Sequence, residues 1–243
     1  MHIIKLNAID STNSFLRQLS SDKQIDDYSI VVAESQSKGR GQMGTSWTSQ
    51  SGKNLICSVF VDVSFLPIEF SFWISMATSL AISKALKQFQ IRNVKVKWPN
   101  DILADQKKIS GILIENVIKN NALQATIIGF GLNINQVHFD NLPLAISMQM
   151  VSGKYYAIDN VLEKVIENFK SVLALLKEGQ FKEVKERYEN ELFRKEKPST
   201  FKNAEGVLFS GFIKGVSNSG HLKVLIEDDI LREFDLKEIK LLY

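Results

Sequence analysis

The sequence predicts an α+β protein, with a largely antiparallel central sheet, flanking helices and a small all-β unit at the end. Three observations point there. Apolar runs of strand length, such as NLICSVFVDV and LQATIIGFGLNIN, are separated by turn residues. Longer segments between and after them repeat apolar residues at helical spacing. Beyond RKEKPST the composition shifts to short strands with tight turns, a unit of about 45 residues whose core is marginal unless it docks on a larger one. We therefore expect residues 1–194 to form one domain and residues 195–243 a small β-barrel packed on it.

Taken in order, His2 to Ile9 reads as a strand, and DSTNSFLRQLSS as a helix capped by Asp10, Ser11 or Thr12. Ser29 to Ala33 is β-branched and apolar, a buried strand. A polar loop, ESQSKGRGQMGTSW (Glu34 to Trp47), leads to the strand NLICSVFVDV. Glu69 to Phe89 reads as a helix, with Phe72, Trp73, Met76, Leu80 and Ile82 towards its buried side. VKVKW is a short strand ending in the turn PND. KISGILIENVI, the turn KNN and LQATIIGFGLNIN form a hairpin. Met148 to Tyr156 fits neither pattern cleanly. Asp159 to Lys177 is an amphipathic helix; Gly179 interrupts it and Phe181 to Leu192 continues as another. The tail reads as strands at GVLFSGFIKGV, HLKVLIE, ILREFDL and IKLLY, with turns at SNSG and EDD.

Composition narrows the function. The 243 residues are 44% hydrophobic, enough for a sizeable core. Thirty basic residues face 27 acidic ones, and the two signs are interspersed. No basic face is evident, so DNA is not an expected partner. The single cysteine, Cys57, excludes an internal disulfide and points to a reducing, cytoplasmic setting. FSFWISMATSLAIS is too short to cross a bilayer, and the N-terminus lacks the pattern of a signal peptide. His2, His138 and His221 show no metal-ligand spacing.

Four motifs carry candidate chemistry. In the loop, Gly39, Gly41 and Gly44 let backbone approach a ligand, and Arg40 offers a fork of donors for phosphate or carboxylate. No helix pattern follows it, and Gly-Lys-Ser/Thr is missing, so it is neither a dinucleotide fingerprint nor a P-loop. KWPND places Lys97, Asn100 and Asp101 around a proline turn. KKISGILIE sets Lys108 at the start of an apolar strand that contains Gly111. GFGLNIN ends a strand on Asn133, whose amide can donate and accept. Taken singly, each also reads as ordinary structure: a surface turn, a strand end, a hairpin lysine, a turn cap.

Together with STN (Ser11–Asn13), their order and spacing resemble the biotin–protein ligases. The resemblance covers about Ile9 to Asn135, and the C-terminal barrel fits it too. It implies a sheet of the class II aminoacyl-tRNA synthetase-like type and an SH3-like tail. With STN at residue 11, it implies the short monofunctional form without an N-terminal DNA-binding domain. The implied reaction has two steps. Biotin and ATP give biotinyl-5′-AMP and pyrophosphate; a lysine of a carboxylase's biotin carboxyl carrier domain then takes the biotinyl group and releases AMP.

By the same resemblance, Ser11, Thr12 and Gln36 bind the ureido ring, with backbone near Gly39 and Arg40, while Trp47 closes the apolar wall and Gly111 permits close approach. Lys108 is the implied catalytic lysine, contacting the carboxylate and the α-phosphate, and Arg40 joins it. Gln42, Lys97 and Asn100 surround the nucleotide, Asp101 is the implied Mg²⁺ ligand, and Asn133 reads the adenine. ATP with Mg²⁺ is needed and no redox cofactor. Members include monomers and sheet-to-sheet homodimers. Many members carry arginines where this chain has Gln42 and Met43; Gln42 hydrogen-bonds without adding charge, which touches retention of the adenylate rather than the reaction type. The glycine loop, Ser37 to Ser46, is expected to be mobile without ligand and to fold over biotin. Two other readings stay open: a lipoate or octanoate ligase or transferase of the same fold, and a non-catalytic biotin-binding regulator.

Overall fold

The computed structural model describes residues 2–243. Seven strands form the main sheet: β1 (Ile3–Ile9), β2 (Ser29–Gln36), β3 (Leu55–Asp62), β4 (Lys95–Lys97), β5 (Asp101–Ala104), β6 (Lys107–Lys119) and β7 (Ala122–Leu132). Their spatial order is β1-β2-β3-β7-β6-β5-β4. Only β1 and β2 run parallel, joined by the crossover helix α1 (Thr12–Asp22); every other pair is antiparallel. The expected mixed, largely antiparallel sheet with flanking helices is what forms.

Alternation along the strands assigns the two faces. Ile30, Cys57 and Val59 join one core with α2 (Phe72–Gln88) and α4 (Ile158–Lys177), whereas Val31 and Ile127 pack with Leu16 of α1 on the opposite face. The short α3 (Met148–Ser152) lies in the segment that fits neither sequence pattern, and α5 (Phe181–Glu191) follows α4 across Gly179, whose φ of +76° suits a residue without Cβ.

Two strands were not expected. β5 follows the PND turn and meets β6 through Asp105 and Gln106, both at positive φ as a tight hairpin requires. The β6–β7 turn uses Asn120 and Asn121 in the same way, as the KNN motif suggested. The other addition, β8 (Pro198–Asn203), opens the C-terminal unit, which continues through β9 (Leu208–Val216), β10 (Leu222–Leu225), β11 (Leu231–Phe234) and β12 (Ile239–Leu242). These five pair antiparallel in the order β11-β10-β9-β8-β12. Phe201, Val216, Val224 and Ile239 of this unit belong to the same apolar cluster as α2 and α4, so its small core does dock. Trp73 and Trp98 clamp the junction by donating indole N–H bonds to Asn218 O (3.1 Å) and Gly220 O (2.8 Å).

Candidate active site

The α1 face of the sheet is left open where its side chains shrink. Register puts Asp101, Gly111, Gly131 and Ile56 in one row across β5, β6, β7 and β3. The next row holds Leu113, Gly129 and Ser58. Three of these floor positions are glycine, and a cleft of about 810 Å³ stands over them, within the range of small-molecule sites. It is closed on one side by the glycine loop and on another by the C-terminal unit, including Tyr243.

The loop is folded against that floor. Gly41 N donates to Thr45 O (2.6 Å) and Trp47 N to Gly39 O (2.9 Å), while Arg40 and Ser46 pair across it. A Cβ at Gly39 would lie 2.3 Å from Trp47 O, so only glycine fits there. The Trp47 indole lies over two of the three floor glycines: a Cβ would come within 2.2 Å of it at Gly131 and 3.1 Å at Gly111. Its Nε1 is buried without a hydrogen-bond partner, a donor available to a ligand.

Beneath the loop lies a polar network. Ser11 caps α1, accepting from Ser14 N. Gln36 Oε1 accepts from Thr12 N (2.8 Å) and Thr12 Oγ1 (3.1 Å). The buried Ser58 hydroxyl sits 2.7 Å from Thr12 Oγ1 and 2.6 Å from Asn13 Oδ1, and its one hydrogen serves one of them at a time. Asn13 Nδ2 donates to Glu115 Oε2 at 2.9 Å. Glu115 in turn grips Arg40: Nη1 lies 3.0 Å from Oε1 and Nη2 3.1 Å from Oε2.

Opposite the loop, Asp101 gathers two lysines. Lys108 Nζ lies 2.6 Å from its Oδ1 and Lys97 Nζ 3.3 Å from its Oδ2. The Lys108 contact has the distance of an ion pair but not hydrogen-bond angles, since Oδ1 accepts no hydrogen bond; we read it as a charge contact. Lys108 Nζ also stands 5.6 Å from the Trp47 ring centroid. Tyr243 joins this corner: Lys97 Nζ is 5.3 Å from its ring, and burial, then the charge of Asp101, raises its phenol above the usual range.

Ser11, Thr12, Gln36, Arg40, Gln42, Trp47, Lys97, Asn100, Asp101, Lys108 and Gly111 all line the cleft. Asn100 is locked by a reciprocal tie to β6, donating from Nδ2 to Ile112 O (2.8 Å) and accepting from Ile112 N (2.9 Å). Gly39 is buried within the loop and does not line the cleft. Asn133 is buried outside the lining, its Nδ2 donating to Ile146 O at 3.1 Å. It braces the strand pair that carries Lys108, because Ile146 N donates to Lys108 O and Asn133 N to Ile109 O. Asn13, Ser58, Glu115 and the glycines of β7 were not singled out as site residues. STN and KISGILIE held two of them in plain view, but what ties them together is pairing between distant strands. Cys57 sits in a floor strand but its side chain packs in the α2/α4 core on the other face, fully buried, and burial pushes its thiol up out of reach of ionisation.

A glycine-floored cleft with a polar network at one end and cations at the other suits an enzyme that unites an acid with a nucleotide. The description "Biotin/lipoate A/B protein ligase family" matches residues 6–133, more than half of the chain, and the chain belongs to that family. Among curated relatives, the bifunctional ligase/repressor BirA of Bacillus spizizenii is 28% identical over 170 residues, covering 68% of this chain and 51% of that protein. The biotin–[acetyl-CoA-carboxylase] ligase of Mycobacterium tuberculosis is 33% identical over 142 residues, covering 57% and 51%. The chain thus spans about half the length of these relatives. The structure of the biotin protein ligase from Aquifex aeolicus in complex with biotin and ATP matches over 99% of this chain and 98% of that one, at 28% identity and a TM-score of 0.81.

Proposed function

We propose that this chain is an ATP-dependent biotin–protein ligase, with residues 1–194 as its catalytic unit and 195–243 as the docked second unit. The observation that carries the reading is the meeting, in one cleft, of the Thr12–Gln36–Ser58 network and the Lys108–Asp101–Lys97 cluster on either side of a glycine floor. The near-complete match to a ligase that holds biotin and ATP supports it.

The chemistry needs two anions side by side. A biotin carboxylate oxygen attacks the α-phosphorus, the bond to the bridging oxygen breaks, and pyrophosphate leaves. A carrier-domain lysine amine then attacks the acyl carbon, loses its proton to solvent and displaces AMP. No enzyme nucleophile is required. Lys108, Lys97 and Arg40 supply the positive charge that lets the anions approach, and positioning with preorganised charge does the rest. The ureido ring pairs with the network near Thr12 and Gln36, and the apolar body rests against the Trp47 indole, which is itself seated on Gly111 and Gly131.

Mg²⁺ fits as an ion carried in on the phosphates. Among the described residues no group of three or more His, Cys, Asp or Glu side chains could hold a metal alone. Asp101 is one carboxylate with an oxygen free of hydrogen bonds, which matches the one or two protein ligands Mg²⁺ takes beside phosphate and water. Bound there, the ion would neutralise phosphate charge while the lysines turn to the substrate. Asn100 holds the PND turn beneath the nucleotide. For Asn133 to read adenine with its amide, its bond to Ile146 O must open. The carrier domain of a carboxylase is the acceptor, in the cytoplasm, and a sheet-to-sheet homodimer is compatible with the reading. Among the described residues no helix is long and apolar enough to cross a membrane.

The test is ATP–pyrophosphate exchange with detection of the adenylate. Biotin should drive exchange, and lipoate and octanoate should not. Lys108→Ala should slow it by about 10²–10³-fold, the typical effect of removing one preorganised contact to developing charge, while biotin still binds. Turnover that survives Lys108→Ala removes that residue from its role. Preference for lipoate, or biotin binding without any adenylate, overturns the reading in favour of the sister ligases or a regulator.

A further inference from the structure

The loop's backbone is paired at Arg40, but that pairing does not fix the arginine side chain, which reaches the cleft 45% exposed. Something must choose its rotamer, because a free arginine samples many and a ligand contact would have to order it. The candidate is Glu115 on β6. Its side chain is 18% exposed, it does not line the cleft, and both its oxygens face Arg40 in a fork. A second tie runs from Arg40 Nη2 to Ser14 Oγ at 3.1 Å. These contacts leave Arg40 its Nε–H and one Nη1 hydrogen for a ligand.

Glu115 also accepts from Asn13 Nδ2, and through Asn13, Ser58 and Thr12 it connects to Gln36. The chain of contacts crosses α1, β2, β3, β6 and the loop. Asn13 has no slack: a Cβ at Gly129 would come within 2.2 Å of its Oδ1, so the amide is seated against β7 backbone. We propose that Glu115 is a positioning residue that fixes Arg40 and the Thr12–Gln36 network as one unit, so that the loop and the ring-binding end of the cleft are assembled together. This rests on the ligase reading for its kinetic consequence, but its structural half does not.

A half-exposed ion pair contributes little to global stability, so the readouts must report placement. In pyrophosphate exchange, Glu115→Gln, which keeps the shape and an acceptor for Asn13, should raise KM for biotin by about tenfold with kcat within about twofold, the pattern of lost binding shared by ground and transition states. Its unfolding midpoint should match that of the parent. If Glu115 acts through Arg40, the Glu115→Gln/Arg40→Ala double variant should be no worse than Arg40→Ala alone. Without any ligand, amide exchange across residues 38–46 should be faster in Glu115→Gln than in the parent. Additive kinetic losses, an unchanged KM or an unchanged loop exchange each overturn the proposal. A parent protein that shows no biotin-dependent exchange would sink the functional reading instead, and amide exchange of the loop would still decide this one.

Discussion

Replacing Gly131 by alanine drives one methyl group into the indole of Trp47. Built on the existing backbone, that Cβ lies 2.2 Å from Cε2 and 2.5 Å from both Cζ2 and Nε1. Carbon atoms rest at roughly 3.5–4.0 Å, so the ring must retreat by about 1.3–1.8 Å. It has little room to do so along the floor, where Gly111 supports its other end, and its backbone is tied to Gly39 O. Gly131 lies within strand β7 and is not among the positive-φ residues, so alanine brings no backbone strain and the effect is steric. Overpacking of this kind costs about 1–3 kcal/mol. For a chain of this size that corresponds to a fall in Tm of about 2–12 °C, towards the lower end here because the Trp47 loop can yield. The displaced ring then stands in the cleft, so biotin affinity should fall as well. Thermal melting and biotin titration read both effects. In a Trp47→Ala background the Gly131→Ala penalty should vanish. An unchanged Tm and affinity, or a penalty that persists without the indole, refutes the packing argument.

Ser58→Ala should destabilise by about 1–3 kcal/mol, because it leaves a buried acceptor on Asn13 or Thr12 without its donor; chemical denaturation reads the loss, and a variant as stable as the parent would contradict the network. Alkaline pH should weaken the fold through Tyr28, whose phenol is raised from 10.0 to about 12, chiefly by burial and then by the charge of Asp27. The folded state favours the neutral phenol, so this contribution is intact below pH 10 and is lost as pH rises towards 12. Tyr28→Phe should flatten that part of the stability–pH curve, and an unchanged slope would count against it.

The segments with strong periodicity were legible before the structure. The KNN turn, the β6–β7 hairpin and α4 fall where the pattern placed them, because two asparagines at positive φ and a continuous apolar stripe are local signals. β5 was missed because it has only four residues and turns on Asp-Gln, which lacks the glycine of common hairpin turns. β8 was missed because it opens on Pro198 and alternates polar residues with just two buried ones, Ser199 and Phe201. In the cleft, residue types were readable but register was not. Nothing local says that Gly111 faces Gly131, or that Glu115 meets Arg40 across 75 positions. The roles of Trp73 and Trp98 as clamps on the C-terminal unit depend on backbone carbonyls, which carry no sequence signature at all.

The most direct measurement is a crystal structure with biotin and a non-hydrolysable ATP analogue bound together. The account places both ligands in the cleft lined by Gly111, Gly131 and Trp47, the ring beside Thr12 and Gln36, and Lys108 Nζ turned from Asp101 to lie between the carboxylate and the α-phosphate. Ligands found elsewhere on the protein, or Lys108 still paired with Asp101 and out of reach of both, would contradict it.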